Sequence, residues 1–477
     1  MTLHLKFEKV FKITKSCLYL NRSHPMINHG SKLWKLQFLS IMALSFCCFN
    51  LLVYSIFVHD IPSGKYAEAI KNSTILILNI TVTCKYFVLL YHKEYFINLI
   101  NIVNEDYRTA MESSEEEREI VLRYSNRGVR VCKYWLASAT ATASTFPLKA
   151  LVLMMYHGWR GEFKLIPMFD LTYPKIVEDY KNSTPFFWTL FMYQLAFDIY
   201  NSTVLIGFDP LVPIFLLHTS GQIALLSNKI KKLFTDVKDP KEIEKELKHI
   251  NIRLQHLYGF VDGLKRNFTY MFEFIMKTTM LLLPLTTFQI VESLRHREVN
   301  VEFISFFTGC ILNYFIPCYY SDHLMETSEN FRQAVYSCGW EKCPDRRVRK
   351  TISLMLTRAA HPMGISTIFH VVCLDTFAEV GNQNVHNTIT TQGYRIHIMD
   401  GILMVISRLE NLENTAKMFR IFLYDLTSPQ LRTTTSELIL HNCHMYMWIF
   451  ISLNIFTLFQ MCRQSYGIFN LMNAALV

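Results

Sequence analysis

Leu36–Val58 runs for 23 residues without a single charged side chain. A helix of roughly 20 apolar residues crosses the hydrocarbon core of a bilayer, which is about 30 Å thick. In lipid every backbone polar group must be satisfied within the chain, so such a run is read as a spanning helix. Six further stretches are mainly apolar, each with one or two charged residues: Thr74–Tyr91, Tyr134–Tyr156, Pro185–Leu217, Phe268–Val291, Val301–Tyr320 and Ile365–Val380. The expected fold class is an all-α membrane protein with seven transmembrane helices. Composition agrees, with 51% hydrophobic and 18% charged residues, where soluble domains carry about 25% charge. A disordered chain, a collagen and an ordinary cytosolic enzyme are excluded on the same grounds. The twelve cysteines have no paired spacing, so a disulfide scaffold is not expected, and Cys338 and Cys343 are read as free thiols.

Orientation follows from where the positive charges sit, because short basic loops are retained in the cytoplasm. Residues 1–35, 92–133, 218–267 and 321–358 hold seven, seven, ten and seven Lys and Arg, whereas the loops after spans one, three and five hold two, four and two. The N-terminus is therefore cytoplasmic, and the net charge of +9 needs no nucleic-acid partner. Met1–Leu20 interleaves Lys with apolar residues, which excludes a signal peptide's unbroken apolar core. Of the asparagine sequons, Asn72-Ser-Thr and Asn182-Ser-Thr fall in outer loops where glycosylation can occur. Asp239-Pro-Lys-Glu starts a cytoplasmic helix whose apolar stripe, Ile243, Leu247, Ile250, Leu254 and Leu257, must pack on other helices.

No nucleotide, zinc or hydrolase motif is present, so the chain reads as no enzyme, with no cofactor and no metal. His441, Cys443 and His444 lack a second ligand cluster and read as polar residues before an apolar run. Ionisable residues inside spans are functional suspects. Lys85 lies near the end of span two, where it is expected to snorkel; Glu273 and Lys277 are placed to neutralise each other at i and i+4. Asp198 either lines a watery cavity or pairs with Lys149. Asp209-Pro210 and Pro213 read as a kink in span four. The outer halves of the spans are rich in Phe, Met, Leu and Thr and suit an enclosed apolar pocket. Its candidate residues are Thr81, Phe146, Leu151, Met192, Tyr193, Phe197 and Phe306.

Ala334-Val-Tyr336-Ser-Cys-Gly-Trp340, the run Arg346 to Lys350 with Leu354-Met-Leu-Thr-Arg358 and Pro362, and Phe369 to Phe377 with Ser465-Tyr466 form an ordered series. Together with the inverted topology this series resembles insect odorant receptors; the Pro167, Tyr173-Pro174 loop is similar to outer loops of moth members. G-protein-coupled receptors have the opposite orientation, and their Asp-Arg-Tyr and Asn-Pro-x-x-Tyr motifs are missing. The resemblance implies the ligand-binding subunit of an odorant-gated cation channel in the plasma membrane of olfactory neurons. Its implied partners are a volatile apolar odorant or pheromone, membrane lipid and a co-receptor subunit in a heterotetramer. Gln464 and Phe469, beside Arg463, would lie at the pore, and Tyr336, Trp340 and Arg358 in the subunit anchor. A gustatory receptor of the same fold and a membrane transporter are the alternatives, although the internal repeat of a transporter is not visible.

The resemblance is interrupted once. In the family, the sequence around Phe377–Val380 would continue directly into Cys462-Arg-Gln-Ser-Tyr, but 81 residues intervene here. This stretch reads as a retained intron or misjoined exon, with a genuine extra exon as the alternative; Met445–Met461 is apolar enough for an eighth span. The expected organisation is thus a cytoplasmic tail (1–35), spans one to four with the outer pocket (36–217), anchor segments with spans five and six (218–358), the start of span seven (359–380), the insert (381–461) and the end of the pore helix (462–477).

Overall fold

The computed structural model describes residues 5–379 apart from 163, 238 and 296–299. Two short helices, α1 (Phe7–Val10) and α2 (Lys12–Leu20), precede α3 (Lys32–Tyr54), which a π-helical turn, Ser55–Asp60, extends. Then come α4 (Tyr66–Tyr91), α5 (Lys93–Glu112), α6 (Glu115–Trp159), α7 (Lys175–Glu178), α8 (Thr184–Phe208), α9 (Leu211–Asp236), α10 (Pro240–Arg295), α11 (Val301–Tyr336) and α12 (Arg346–Ala359). Among the described residues, six helical stretches are long and apolar enough to cross a membrane: Lys32–Asp60, Tyr66–Tyr91, Glu115–Trp159, Thr184–Asp236, Pro240–Leu294 and Val301–Lys342. The first six expected spans lie within them.

Local sequence accounts for where the helices begin. Ser31 accepts from the Trp34 N–H at 3.2 Å and opens α3. Ser114 caps α6, whose first turn carries Glu115, Glu116 and Glu117 against the positive helix end. Asp345 caps α12 through the Arg347 N–H at 2.7 Å. Pro210, which has no N–H to donate, separates α8 from α9.

The expected seventh span differs. After α12, residues 360–373 are not helical: Ser366 and Val371 form an isolated antiparallel bridge, and helix resumes only over 374–379. His361-Pro362 and Gly364 break the helix, and the β-branched Ile365, Thr367, Ile368, Val371 and Val372 suit extended backbone. The turn is closed by the Thr367 N–H on the His370 carbonyl at 2.7 Å. The insert, the eighth-span candidate Met445–Met461, His441 to His444, Arg463, Ser465-Tyr466, Gln464 and Phe469 lie outside the described residues.

The N-terminal segment assigned as a tail is a packed element. Phe7, Phe11 and Leu18 are each 2% exposed, and their spacing by four and seven gives α1–α2 one apolar face between the lysines. Phe7 stacks at 6.0 Å on Phe215 of α9. Close approach is possible because a Cβ at Gly128 would meet Phe11 at 2.9 Å, and one at Gly207 would meet Leu18 at 2.9 Å. The expected stripe Ile243, Leu247, Ile250, Leu254 and Leu257 is buried in this core, at the end that the basic loops assign to the cytoplasm.

His24, between α2 and α3, is 1% exposed, accepts from the Met26 N–H through Nδ1 at 3.2 Å and stacks on Tyr19 at 4.2 Å. Burial pushes its pKa down to about 4; Glu8 opposes this and Lys15 adds to it. The unfolded state, titrating near 6.5, therefore takes up this proton first. Stability should be complete above about pH 6.5, fall by roughly 3 kcal/mol as pH drops towards 4, and level off below. Denaturation of the micelle-solubilised chain from pH 8 to 4 measures this, and His24→Gln should flatten the profile in that window; an unchanged slope would contradict the assignment.

Candidate ligand site

At the opposite end of the bundle, the end read as outer, the loop between α6 and α7 turns inward. Phe169, Leu171 and Tyr173 alternate with the outward Asp170 and the half-buried Thr172; the three apolar members are 4%, 7% and 6% exposed. The Phe169 ring lies edge-on to Phe146 of α6 at 5.4 Å and to Phe197 of α8 at 6.4 Å. Gln194 of α8, fully buried, accepts from the Phe169 N–H through Oε1 at 3.3 Å and donates to the Tyr173 hydroxyl at 2.9 Å. Phe169 and Tyr173 of the loop thus meet Phe146, Phe197 and the Gln194 amide of the spans.

The loop is fastened from outside. The Thr172 N–H donates to Ser55 Oγ at 3.0 Å, and the Thr172 hydroxyl meets His59 Nδ1 at 3.2 Å. Asn72 donates to Asp60 Oδ2 at 2.9 Å, and Lys71 pairs with Asp170. Ser55, His59 and Asp60 all belong to the π-helical turn, a local distortion often found at functional sites. Asn72 is 0% exposed, which removes it as a glycosylation acceptor in the folded chain; a carboxylate needing donors explains its burial. Asn182 is exposed.

The expected pocket residues divide. Phe146 and Phe197 meet through Phe169. Thr81 of α4 and Phe306 of α11 are buried on their helices, and the Thr81 hydroxyl is occupied by the Ile77 carbonyl at 2.8 Å. Leu151 is half-buried. Tyr193 points to α3, where its hydroxyl donates to the Leu44 carbonyl at 2.9 Å. Met192 is 57% exposed on the outward face of α8; one face of the helix presents Phe191, Gln194 and Phe197 inward, and Met192 falls outside it. Sequence reading missed Phe169, Tyr173 and Gln194. Its available signal was the period-two alternation over 169–173, which is short and lies outside any span.

Three other expectations concern charge. Lys85 does not snorkel: its ammonium is completely buried, 2.6 Å from Asp209 Oδ1 and 2.8 Å from Asn313 Oδ1. Lys149 pairs with Glu302 and donates to Asn300 at 3.0 Å, so it is not the partner of Asp198. Glu273 and Lys277 are 3.4 Å apart, as their spacing requires. In the anchor region Tyr336 is exposed, the Trp340 indole N–H donates to the Tyr336 carbonyl at 3.2 Å, and the Arg358 guanidinium lies 4.2 Å over the Tyr258 ring. Cys338 and Cys343 are buried free thiols.

These features define a polytopic helical membrane protein with a loop-capped aromatic cluster at one end and, at the other, a buried apolar helical core flanked by charged loops. The pattern describing the 7tm Odorant receptor family matches residues 65–384, and the chain belongs to that family. It is similar to Odorant receptor 10a of Drosophila melanogaster, 21% identical over 277 residues that cover 56% of this chain and 67% of the relative. Odorant receptor 13a of the same fly is 23% identical over 397 residues, covering 78% and 92%. The solved structure of the insect olfactory receptor OR5 from Machilis hrabei in complex with eugenol has the same fold, with a TM-score of 0.63 at 15% identity, over 80% of this chain and 97% of that one. The chain is a multi-pass membrane odorant receptor, and its family is one of receptors rather than enzymes.

Proposed function

We propose that this chain is the odorant-binding subunit of an odorant-gated cation channel that acts with a co-receptor subunit. The observation that carries the reading is the aromatic cluster of Phe146, Phe169 and Phe197, closed by a tethered loop and containing one polar amide, in a member of this family. An enclosed apolar site with few polar groups suits a small volatile ligand. Thr81, Leu151 and Phe306 are the further candidates; Tyr193 supports α8 from the α3 side. Tyr336, Trp340 and Arg358 are assigned to subunit contacts, and Gln464 and Phe469 to the pore. A ligand shifts the channel only by its differential affinity for the open form, so contacts that change on opening matter more than total burial.

The family match ends at residue 384, close to where the resemblance is interrupted. Whole-cell current during a volatile panel, in cells carrying the chain with an insect co-receptor, tests the reading beside a version lacking 381–461. Odour-evoked current is expected from the shortened chain and strongly reduced or absent current from the full one. Silence of both at normal surface expression would overturn the channel reading, and equal currents would overturn the assigned effect of the insert.

A further inference from the structure

Phe169 is a loop residue, yet it is 4% exposed, and its ring lies steeply inclined to both Phe146 and Phe197, at 5.4 and 6.4 Å. Its N–H supplies the donor for Gln194 Oε1. The other end of that amide is already used by Tyr173, 2.9 Å away, and with Phe169 in place Gln194 is 2% exposed. The flanking residues are held by separate bonds: Asp170 to Lys71, the Asp170 carbonyl to Asn72 at 3.5 Å, and Thr172 to Ser55. The loop therefore presents one phenyl ring and one N–H to the spans, from a backbone anchored immediately behind them.

We propose that Phe169 is a built-in occupant of the site, and that this receptor's ligands are single-ring aromatic molecules bearing a hydrogen-bond donor, which take over its ring position and its bond to Gln194. The inference rests on the reading of this cluster as the odorant site. Two features carry the class of ligand. The space released when Phe169 swings out is that of one phenyl ring with aromatic edges and faces around it, which favours a ring over an aliphatic chain. When the backbone at Phe169 leaves with its ring, turning about the anchors at Asp170 and Thr172, Gln194 Oε1 loses its donor beneath the incoming ligand, so a ligand lacking a hydroxyl or amine is discriminated against. Competition with an internal occupant lowers apparent affinity by the fraction of time that the occupant is out. Removing the occupant should therefore tighten binding, the opposite of what loss of an ordinary lining residue does.

The test uses the full chain in nanodiscs, with binding of 4-fluorobenzyl alcohol read by fluorine NMR against empty nanodiscs. Phe169→Ala is expected to bind at least tenfold more tightly than the natural chain, and Phe169→Leu to tighten binding by a smaller factor. The natural chain should prefer the alcohol over 4-fluorotoluene, and Gln194→Met should abolish that preference. Unchanged or weakened binding by the Phe169 variants overturns the occupant role; equal binding of the alcohol and the toluene overturns the donor requirement. Should the alanine variant fail to fold, the leucine variant carries the same sign. Tighter binding with no odour-evoked current from the version lacking 381–461, carried with an insect co-receptor, would keep the occupant and sink the channel reading. Currents of that version whose dose and ring preference are unaffected by Phe169→Ala would do the reverse.

Discussion

Asp209→Ala is expected to destabilise the chain by about 3–5 kcal/mol, because it leaves the buried ammonium of Lys85 without its counter-charge. The two side chains are 0% and 5% exposed and 2.6 Å apart. Asn313 adds a hydrogen bond to Lys85 at 2.8 Å, so one cluster ties α4, the α8–α9 junction and α11 together. The natural pair is not itself evidence of high stability, since desolvating two charges offsets much of their attraction. The double variant Lys85→Met, Asp209→Leu should accordingly lie near the natural chain or above it, by up to about 4 kcal/mol. Denaturant titration in mixed micelles gives both values. A loss below about 1 kcal/mol for Asp209→Ala, against the 3–5 kcal/mol of broken buried pairs, would show that Lys85 finds water or another partner.

That pair also marks the boundary of what sequence reading reached. Hydropathy located six long helices, since a run of 20 apolar residues has few alternatives in lipid. The stripe Ile243 to Leu257 was legible for the same kind of reason, its period matching a helix face. Lys85 was read as snorkelling because its distance along the helix is visible in sequence and its partner, 124 positions away in Asp209, is not. The same limit applied to Asn72, whose sequon is intact but whose amide is committed to Asp60. In the aromatic cluster, Phe146 and Phe197 were singled out from their spans as pocket candidates. Phe169 was not, because a loop residue becomes part of the core only through long-range closure that local periodicity does not encode. Residues 365–373 show the converse error: their apolar content counted towards a span, while Pro362, Gly364 and the β-branched residues favoured a turn with extended arms.

At the charged end, Asp106→Ala should cost roughly 3 kcal/mol, the lower end of the range for breaking a buried charge pair. Asp106 of α5 is bonded to His218 Nε2 of α9 at 2.9 Å and paired with Arg253 of α10, which also donates to Gln222 at 2.9 Å. Arg253 is 34% exposed and keeps some water when its partner is removed, which moderates the loss. Burial pushes the Asp106 carboxyl up, but His218 and Arg253 together more than offset this and hold it below the ordinary carboxylate range. With the folded pKa depressed, the carboxylate's contribution is fully present above the unfolded value of about 3.9 and disappears as pH falls through the folded one. Asp106→Asn keeps the shape and an acceptor for His218 but loses the charge. Its stability deficit against the natural chain should be constant from pH 7 to about 5 and shrink below about pH 4. Denaturation of both chains across that range decides the matter. A deficit that persists undiminished into strong acid would mean that Asp106 acts through packing, with no net stabilisation from its charge.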